Sequence, residues 1–573
     1  MASAADAGVL DARTWRDWRP QWNLQNVLGT VLLGLLSLFV VYPVVLILLQ
    51  SIQITRPGEP MVFGLDGWRA IFNERGLFSA TMNTLGLTLA RQAISLPIAI
   101  LIAWLIARTD LPGRNVFEFL FWLAFFLPSL TVTLSWIMVL DPEFGLFNQL
   151  IRRLGVPAFN IYSFWGITWV HIMASSITVK VMLLTPVLRN MNAAFEEASR
   201  VAGASPITTL ARIVVPVVLP AVLAIELLAV TRSLEAFEIE QVLGAPIGLY
   251  VLSTTIYDML YQQIPRYDVA AALGVIMLVS MLALVYLQKH WTAGRRFTTV
   301  TGQYQVQVLR LGRWRWVAFA GLVVVLALII AVPLVFSLVG TFMQFFGFFT
   351  GAWTLKHWET ALKDRFLIQS LQNTLILAFG TAIAAVLVHS LIAYVIVRTR
   401  FFGRGTLDTM SWLPFTVPGI LLSLGLLGMF LRTPGFRPLY GSMIVLVIAG
   451  VVAIMPLAVQ IVRSNLLQLG AELEEASWLT GGNWLQTYRR IVLPLISPTL
   501  VVVGLISFIG AARNIAQVAL LSNTATRPLS IMQLDYMADH RLEVAAVIAC
   551  LIMFMTLGLA LAARAFGYKT ASG

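Results

Sequence analysis

Paired acids occur twice in this chain at matched spacing. Glu196-Glu197-Ala198-Ser199 is followed by Gly203 and then by Ile213-Val214-Val215-Pro216. Glu474-Glu475-Ala476-Ser477 is followed by Gly481 and then by Ile491-Val492-Leu493-Pro494. One offset relates the copies, since 475 − 197 and 494 − 216 are both 278. Neither copy sets a nucleophile beside a base, so no bond-making chemistry is expected of these carboxylates.

A second set of ionisable residues falls within long apolar runs, where charge is costly and marks function by default. Glu226 sits mid-run, and Arg232, Glu235, Glu238 and Glu240 follow it. At the 278 offset Glu235 corresponds to Arg513, beside Asn514, so opposite charges at equivalent positions predict a pair that closes the outer end of a central path. His171 and Lys180 share another run, and Lys180 is expected to snorkel toward the cytoplasmic face.

Other chemistries find no residues. The histidines, at 171, 290, 357, 389 and 540, are scattered, none at i,i+4, and no metal site is expected. Cys550 is the single cysteine, so no disulfide framework exists. A phosphate-binding loop needs Lys directly after Gly. No lysine here follows a glycine, and in Gly567-Tyr568-Lys569-Thr570 a tyrosine intervenes. The chain is therefore expected to bind no cofactor and to be no enzyme.

The elements that must position these residues are membrane helices. Of the 573 residues 59% are hydrophobic and 12% charged, with a mean hydropathy of +0.84, which a soluble core cannot hide. Apolar runs long enough to span lie near 27–51, 80–107, 117–139, 165–187, 213–234 and 267–287. The second half repeats them near 316–343, 371–397, 406–431, 441–462, 491–512 and 544–566. The fold expected is all-α and polytopic, with about twelve spans. The net charge of +12 reads as Lys and Arg holding loops inside rather than as nucleic-acid binding. The expected divisions are a cytoplasmic segment 1–26, a first membrane domain 27–287, a basic linker 288–315, a second domain 316–566 and a tail 567–573. Six spans per half put both ends in the cytoplasm.

The repeat extends beyond the acids. Asn83-Thr84-Leu85 matches Asn373-Thr374-Leu375, Arg108-Thr109 matches Arg398-Thr399, and Pro128 matches Pro418, all 290 apart. The change to 278 places an insertion near 141–160, in an external loop. Both halves run the same way, a parallel repeat. Within the loops 190–216 and 468–494, helix formers should end at Gly203 and Gly481, and Ser205 and Asn483 should cap a second short helix. Pro216 and Pro494 should then restart the chain as a membrane helix.

This spacing resembles the EAA loop of type I ABC importer permeases, with two membrane domains fused in one chain. In overall character the chain resembles the ferric-iron permeases, with thiamine, polyamine and phosphonate carriers as alternatives. The resemblance implies that each loop docks on an ABC ATPase subunit, an expected homodimer that holds the ATP and Mg. Glu197 and Glu475, with Glu196 and Glu474 beside them, would be the acidic contacts, Ala198 and Ala476 the small ones, and Gly203 and Gly481 the turns. The family pattern prefers Ala where Ser199 and Ser477 stand. It further implies a periplasmic or lipid-anchored binding protein and a multi-pass inner-membrane location. A twelve-span secondary transporter is the alternative class. It would need no ATPase, and it carries no repeated loop of this kind.

Overall fold

The computed structural model describes residues 24–53, 62–73, 76–192, 194–293, 308–347, 349, 351–470 and 472–565. Residues 1–23 and 566–573 of the terminal segments and half of the basic linker, 294–307, lie outside the described residues. The protein is all-helical. Among the described residues, ten helices are long and apolar enough to cross a membrane, or up to twelve spans if two bent pairs each count as one. In the first half these are α1 (Gln25–Gln50), α2 (Leu77–Arg108), a bent α3 (Arg114–Phe125 with Ser129–Leu140), α4 (Phe164–Arg189), α5 (Pro206–Leu234) and α6 (Tyr267–Leu287). In the second half they are α7 (Trp314–Gly340), α8 (Arg365–Arg398), a bent α9 (Arg404–Thr416 with Gly419–Arg432), α10 (Met443–Gln468), α11 (Trp484–Arg513) and α12 (Leu542–Ala565).

Prolines set most departures from straight helices, the π-type turn at Ile172–Ser176 being one without a proline nearby. The runs near 117–139 and 406–431, expected as single spans, turn by 100° and 112°. The turns fall at Pro128 and Pro418, which are extended in backbone conformation and precede the second helix of each pair. Proline lacks the N–H a continuing helix needs and pushes its predecessor out of the α region. At four other places proline widens a helix without breaking it. Single π-type turns occupy Ser37–Val41, Leu210–Val214, Ala327–Ala331 and Tyr488–Val492. Each begins six residues before a proline: Pro43, Pro216, Pro333 or Pro494. The ring clashes with the carbonyl four residues earlier, and the wider turn relieves it. So Pro216 and Pro494 do not restart the chain. The helix runs on through them from the loop into the membrane.

The halves are interlocked by exchange of their first spans. The α1 segment Tyr42–Gln50 packs on the second limb of α9, and Tyr42 Oη lies 3.1 Å from Thr433 Oγ1. Reciprocally, α7 packs on the second limb of α3, where Ser135 Oγ lies 2.7 Å from Ser337 Oγ. The repeated Asn-Thr pairs hold the segments that follow α5 and α11. Asn83 Nδ2 donates to Tyr250 O at 3.0 Å and Asn373 Nδ2 to Ala525 O at 2.9 Å. Thr84 and Thr374 accept from the backbone N–H of Leu252 and Leu529.

Candidate docking loops and transport pathway

Each acidic motif lies on a short helix, Ala194–Val201 or Glu472–Leu479, that ends in a left-handed glycine. Gly203 has φ +81° and Gly481 φ +83°, a region closed to most L side chains. The chain then folds back, with Ala204 N–H on Ser199 O at 3.1 Å and Gly482 N–H on Ser477 O at 2.8 Å. Ser205 caps the next helix by accepting from Thr208 N–H, and Asn483 does so from Gln486 N–H at 2.9 Å. Ser199 Oγ meets Thr209 Oγ1 at 2.9 Å, and Ser477 Oγ meets Thr487 Oγ1 at 2.8 Å. The serines thus pin the two arms of each loop together, a bond alanine could not make.

The acids divide by direction. Successive residues on a helix project about 100° apart, so neighbours cannot share a face. Glu196 is buried and accepts from Arg108 Nε at 2.9 Å and Nη2 at 2.5 Å. Glu474 is buried beside Arg398 Nε at 3.1 Å and accepts from Tyr394 Oη at 2.7 Å. These two were expected as contacts for a partner. Here they face inward and are spoken for. Glu197 is half-buried, and Glu475, Ala198 and Ala476 are exposed.

The loops also present an apolar surface that the acids overshadowed in the sequence. Phe195, Val201 and Ile207 are exposed in the first loop, and Leu473, Leu479 and Leu485 in the second. All three pairs keep the 278 offset. Val201 is 90% and Leu479 89% exposed, and a soluble face would not select such residues twice.

Between the spans, the first half holds a buried polar network. Lys180 Nζ stands 3.0 Å from Glu226 Oε2 and donates to Gln92 Oε1 at 2.5 Å and to Ser95 Oγ at 2.7 Å. Lys180 is therefore bonded within the bundle and does not snorkel. Toward the opposite face, Arg91 Nη1 lies 2.9 Å from His171 Nδ1, and His171 Nε2 lies 2.7 Å from Glu240 Oε1. Ser233 accepts from both Arg91 and Gln92. Arg91 escaped notice in the sequence, although a lone arginine in the middle of an apolar run was signal enough. At the offsets of 290 and 278, Arg91, Gln92, Ser95, His171, Lys180, Glu226, Ser233 and Glu240 become Thr381, Ala382, Ala385, Ala449, Ala458, Gly504, Ala511 and Val518. The network belongs to one half alone.

The expected Glu235–Arg513 pair does not form. Glu235 pairs with Arg232 at 2.5 Å, three residues away on its own chain segment. Arg513 reaches instead to the break in α3, where its Nη1 donates to Phe125 O at 2.6 Å and its guanidinium lies 5.1 Å from the Phe125 ring centre. Arg232 lies 4.6 Å from the centre of the Phe415 ring, at the break in α9. Phe125 and Phe415 are equivalent, 290 apart, so each half places an arginine on the other's broken span. Asn514 caps the end of α11, its Oδ1 accepting from Gln517 N–H at 3.2 Å. Among the described residues, no three His, Cys, Asp or Glu are grouped to hold a metal ion.

These features define a two-fold repeated membrane permease, and the comparisons with known proteins agree. The profile of the binding-protein-dependent transport system inner membrane component family matches residues 95–296 and 385–565. The chain belongs to that family, as a membrane component rather than a catalytic subunit. The chain is 28% identical over 411 residues to the ferric transport system permease protein FbpB of Actinobacillus pleuropneumoniae, a match over 70% of this chain and 58% of that protein. A putative ferric transport system permease protein of Haemophilus influenzae is 28% identical over 412 residues, 70% of this chain and 63% of its own. The chain thus spans about three fifths of these two relatives. A probable ABC transporter permease protein of Sinorhizobium fredii is 26% identical over 514 residues, 87% of this chain and 89% of its own. Among solved structures, a bacterial alginate ABC transporter in complex with an alginate pentasaccharide-bound periplasmic protein matches with a TM-score of 0.41 and 23% identity. That match covers 51% of this chain and 99% of the other.

Proposed function

We propose that this chain forms the translocation pathway of an ATP-driven importer in the inner membrane, with both termini and both docking loops in the cytoplasm. Ferric iron is its cargo, delivered by a periplasmic or lipid-anchored binding protein. The observation that carries the docking role is the doubled apolar surface. Phe195, Val201 and Ile207, with Leu473, Leu479 and Leu485, offer two like patches to two like partners, so one ATPase homodimer with its ATP and Mg fits. Glu197 and Glu475 supply charge at the rim of each patch. Support for iron comes from relatives that bear ferric names at 28% identity. Thiamine, polyamine or phosphonate would use the same machinery.

Co-expression with an ABC ATPase and a binding protein from the same organism, followed by affinity purification, tests the docking. The wild type should retain the ATPase, and Val201→Asp with Leu479→Asp should lose it without loss of folded permease. Retention of the ATPase by the double variant would refute the docking surface. Uptake of radioactive ferric iron, thiamine, spermidine and phosphonate by cells carrying the system then separates the cargoes. ATP-independent uptake would favour the secondary-transporter reading.

A further inference from the structure

Arg108 and Arg398 end α2 and α8 at the loop face, where an arginine would ordinarily reach for water. Both are instead drawn inward. Arg108 is wholly buried, its Nε and Nη2 on Glu196 and its Nη1 on Met191 O at 3.2 Å. Arg398 Nη2 donates to Leu466 O at 2.8 Å and Leu469 O at 2.6 Å, where α10 ends, while Nε faces Glu474. One guanidinium in each half therefore joins three parts: a span, the end of the fourth or tenth span, and the helix that carries the docking motif. Planar, multidentate arginine suits such a junction, and lysine does not.

We infer that Arg108 and Arg398 are positioning residues for ATP-driven transport, each acting through Glu196 or Glu474 to make its docking helix move as one body with two spans. The inference rests on the proposed function, because it needs a partner that pushes on the loops. It reverses the expected use of the acidic pairs. The first glutamate of each pair is the internal tie, and only the second is left for a partner. On the far side of each loop the helix runs through its π-type turn into α5 or α11 without interruption. A displaced docking helix is thus bonded at both ends. It is tied by charge to α2 and α4, or to α8 and α10, and by backbone to the next span.

The two ties are unequal. Tyr394 gives Glu474 a second donor. The residue equivalent to Tyr394 is Trp104, whose indole nitrogen makes no hydrogen bond among the described residues, so Glu196 depends on Arg108 alone. The first tie is also fixed from outside. Leu309 N–H donates to Arg108 O at 2.8 Å, and Asp110 N–H donates to Leu309 O at 3.0 Å, so the end of the linker is stitched to the chain beside it. Loss of Arg108 should therefore cost more coupling than loss of Arg398.

The test uses the permease with its ATPase and binding protein in proteoliposomes, and reads ATPase retention, ATP hydrolysis and cargo delivered per ATP. Arg108→Gln should keep the ATPase yet lower cargo per ATP on the order of 2- to 30-fold, the range of coupling lost to single changes along such a link. Arg398→Gln should do less alone and match it once Tyr394→Phe is added. The swap Arg108→Glu with Glu196→Arg should recover a large part of the loss, which guards against a variant that merely folds poorly. Unchanged cargo per ATP in Arg108→Gln would overturn the inference. So would loss of the ATPase itself from that variant, or a well-folded swap with no recovery. A wild-type chain that retains no ATPase would instead overturn the proposed function, and this inference with it.

Discussion

Replacing Lys180 by Met puts the buried network to a quantitative test. The side chain is nearly isosteric, so the change removes charge and donors but little volume. Lys180 is 1% exposed and holds Glu226, Gln92 and Ser95. Breaking a buried ion pair from one side costs roughly 3–5 kcal/mol, because the abandoned charge stays behind. Glu226 retains some access, its side chain 17% exposed, so the cost should fall near 3 kcal/mol, the lower end of that range of about 3–5 kcal/mol. Removing both partners should be far milder, since apolar replacement of a buried pair is often neutral. The second half shows that this packing works without the pair, with Ala458 and Gly504 at those positions. Thermal unfolding of Lys180→Met, Glu226→Leu and the double variant closes the cycle. The singles should each be destabilised and the double should regain most of the loss. A single variant within about 1 kcal/mol of wild type would refute the reasoning, because that is the worth of a neutral hydrogen bond between membrane helices. Uptake then separates architecture from pathway. A stable double variant that no longer transports would show that the charges serve the cargo.

Three further outcomes are expected. Arg513→Ala and Arg232→Ala each remove a guanidinium from the facing half's broken span, worth up to about 2 kcal/mol where desolvated; ATP hydrolysis without the binding protein should rise in both, and an unchanged rate would argue against a gate at these breaks. Gly203→Ala and Gly481→Ala place a Cβ with nothing within 4 Å, so only the left-handed backbone opposes them; a loss of about 1–2 kcal/mol in thermal stability is expected, and no loss would mean that the turn can re-form otherwise. Glu238, on the short helix Glu238–Leu243 after α5, is pushed up from 4.5 to about 7 by burial, with Arg513 opposing and Glu240 adding. A carboxyl raised on folding stabilises most while protonated, so its contribution is full below about pH 4.5 and lost as pH rises through about 7. Glu238→Gln should flatten the dependence of melting temperature on pH between these limits, and an unaltered dependence would refute the assignment.

The repeat, the spans and the turn glycines were legible because each has a local cause. Hydropathy over a span and Gly at a left-handed turn act within a few residues of themselves, whereas the effect of Pro128 and Pro418, which break a span, and of Pro216 and Pro494, which do not, was not read from the sequence. The pairings were not legible, and the failed Glu235–Arg513 pair shows why. An offset finds equivalent residues, and in a two-fold repeat equivalent residues meet only on the axis. Away from it, each residue meets a different one of the other half, and does so twice. Arg513 on Phe125 and Arg232 on Phe415 come near that geometry, with equivalent phenylalanines but arginines three residues out of register, since Arg232 corresponds to Gly510. Lys180 failed for a related reason. Snorkelling was judged from the lysine's own helix, whereas its partners lie on α2 and α5. The inward turn of Glu196 followed from the adjacency of two acids on one helix, but which of them turned inward depended on Arg108, 88 residues earlier.

What is duplicated and what is not follows depth in the membrane. The acid pair, the turn glycine, the π-type turn and the arginine tie all occur twice, and all lie at the loop face. The mid-span charges Arg91, Lys180 and Glu226 occur once, on α2, α4 and α5. Under the proposed function a partner with two equivalent subunits pushes on two equivalent places, and the elements that would receive the push are those present in both halves. A single cargo passing between the halves makes no such demand, and one polar wall can meet it while the other stays smooth. Membrane helices gain little from hydrophobic contact with one another, and they associate through close packing and hydrogen bonds. The second half uses the former, with Thr381 packed against Gly450, where an added Cβ would lie 2.7 Å from the threonine Oγ1. The first half uses the latter. Separating Ala and Gly surfaces exposes no charge to lipid, whereas separating α4 from α2 and α5 would strand Lys180.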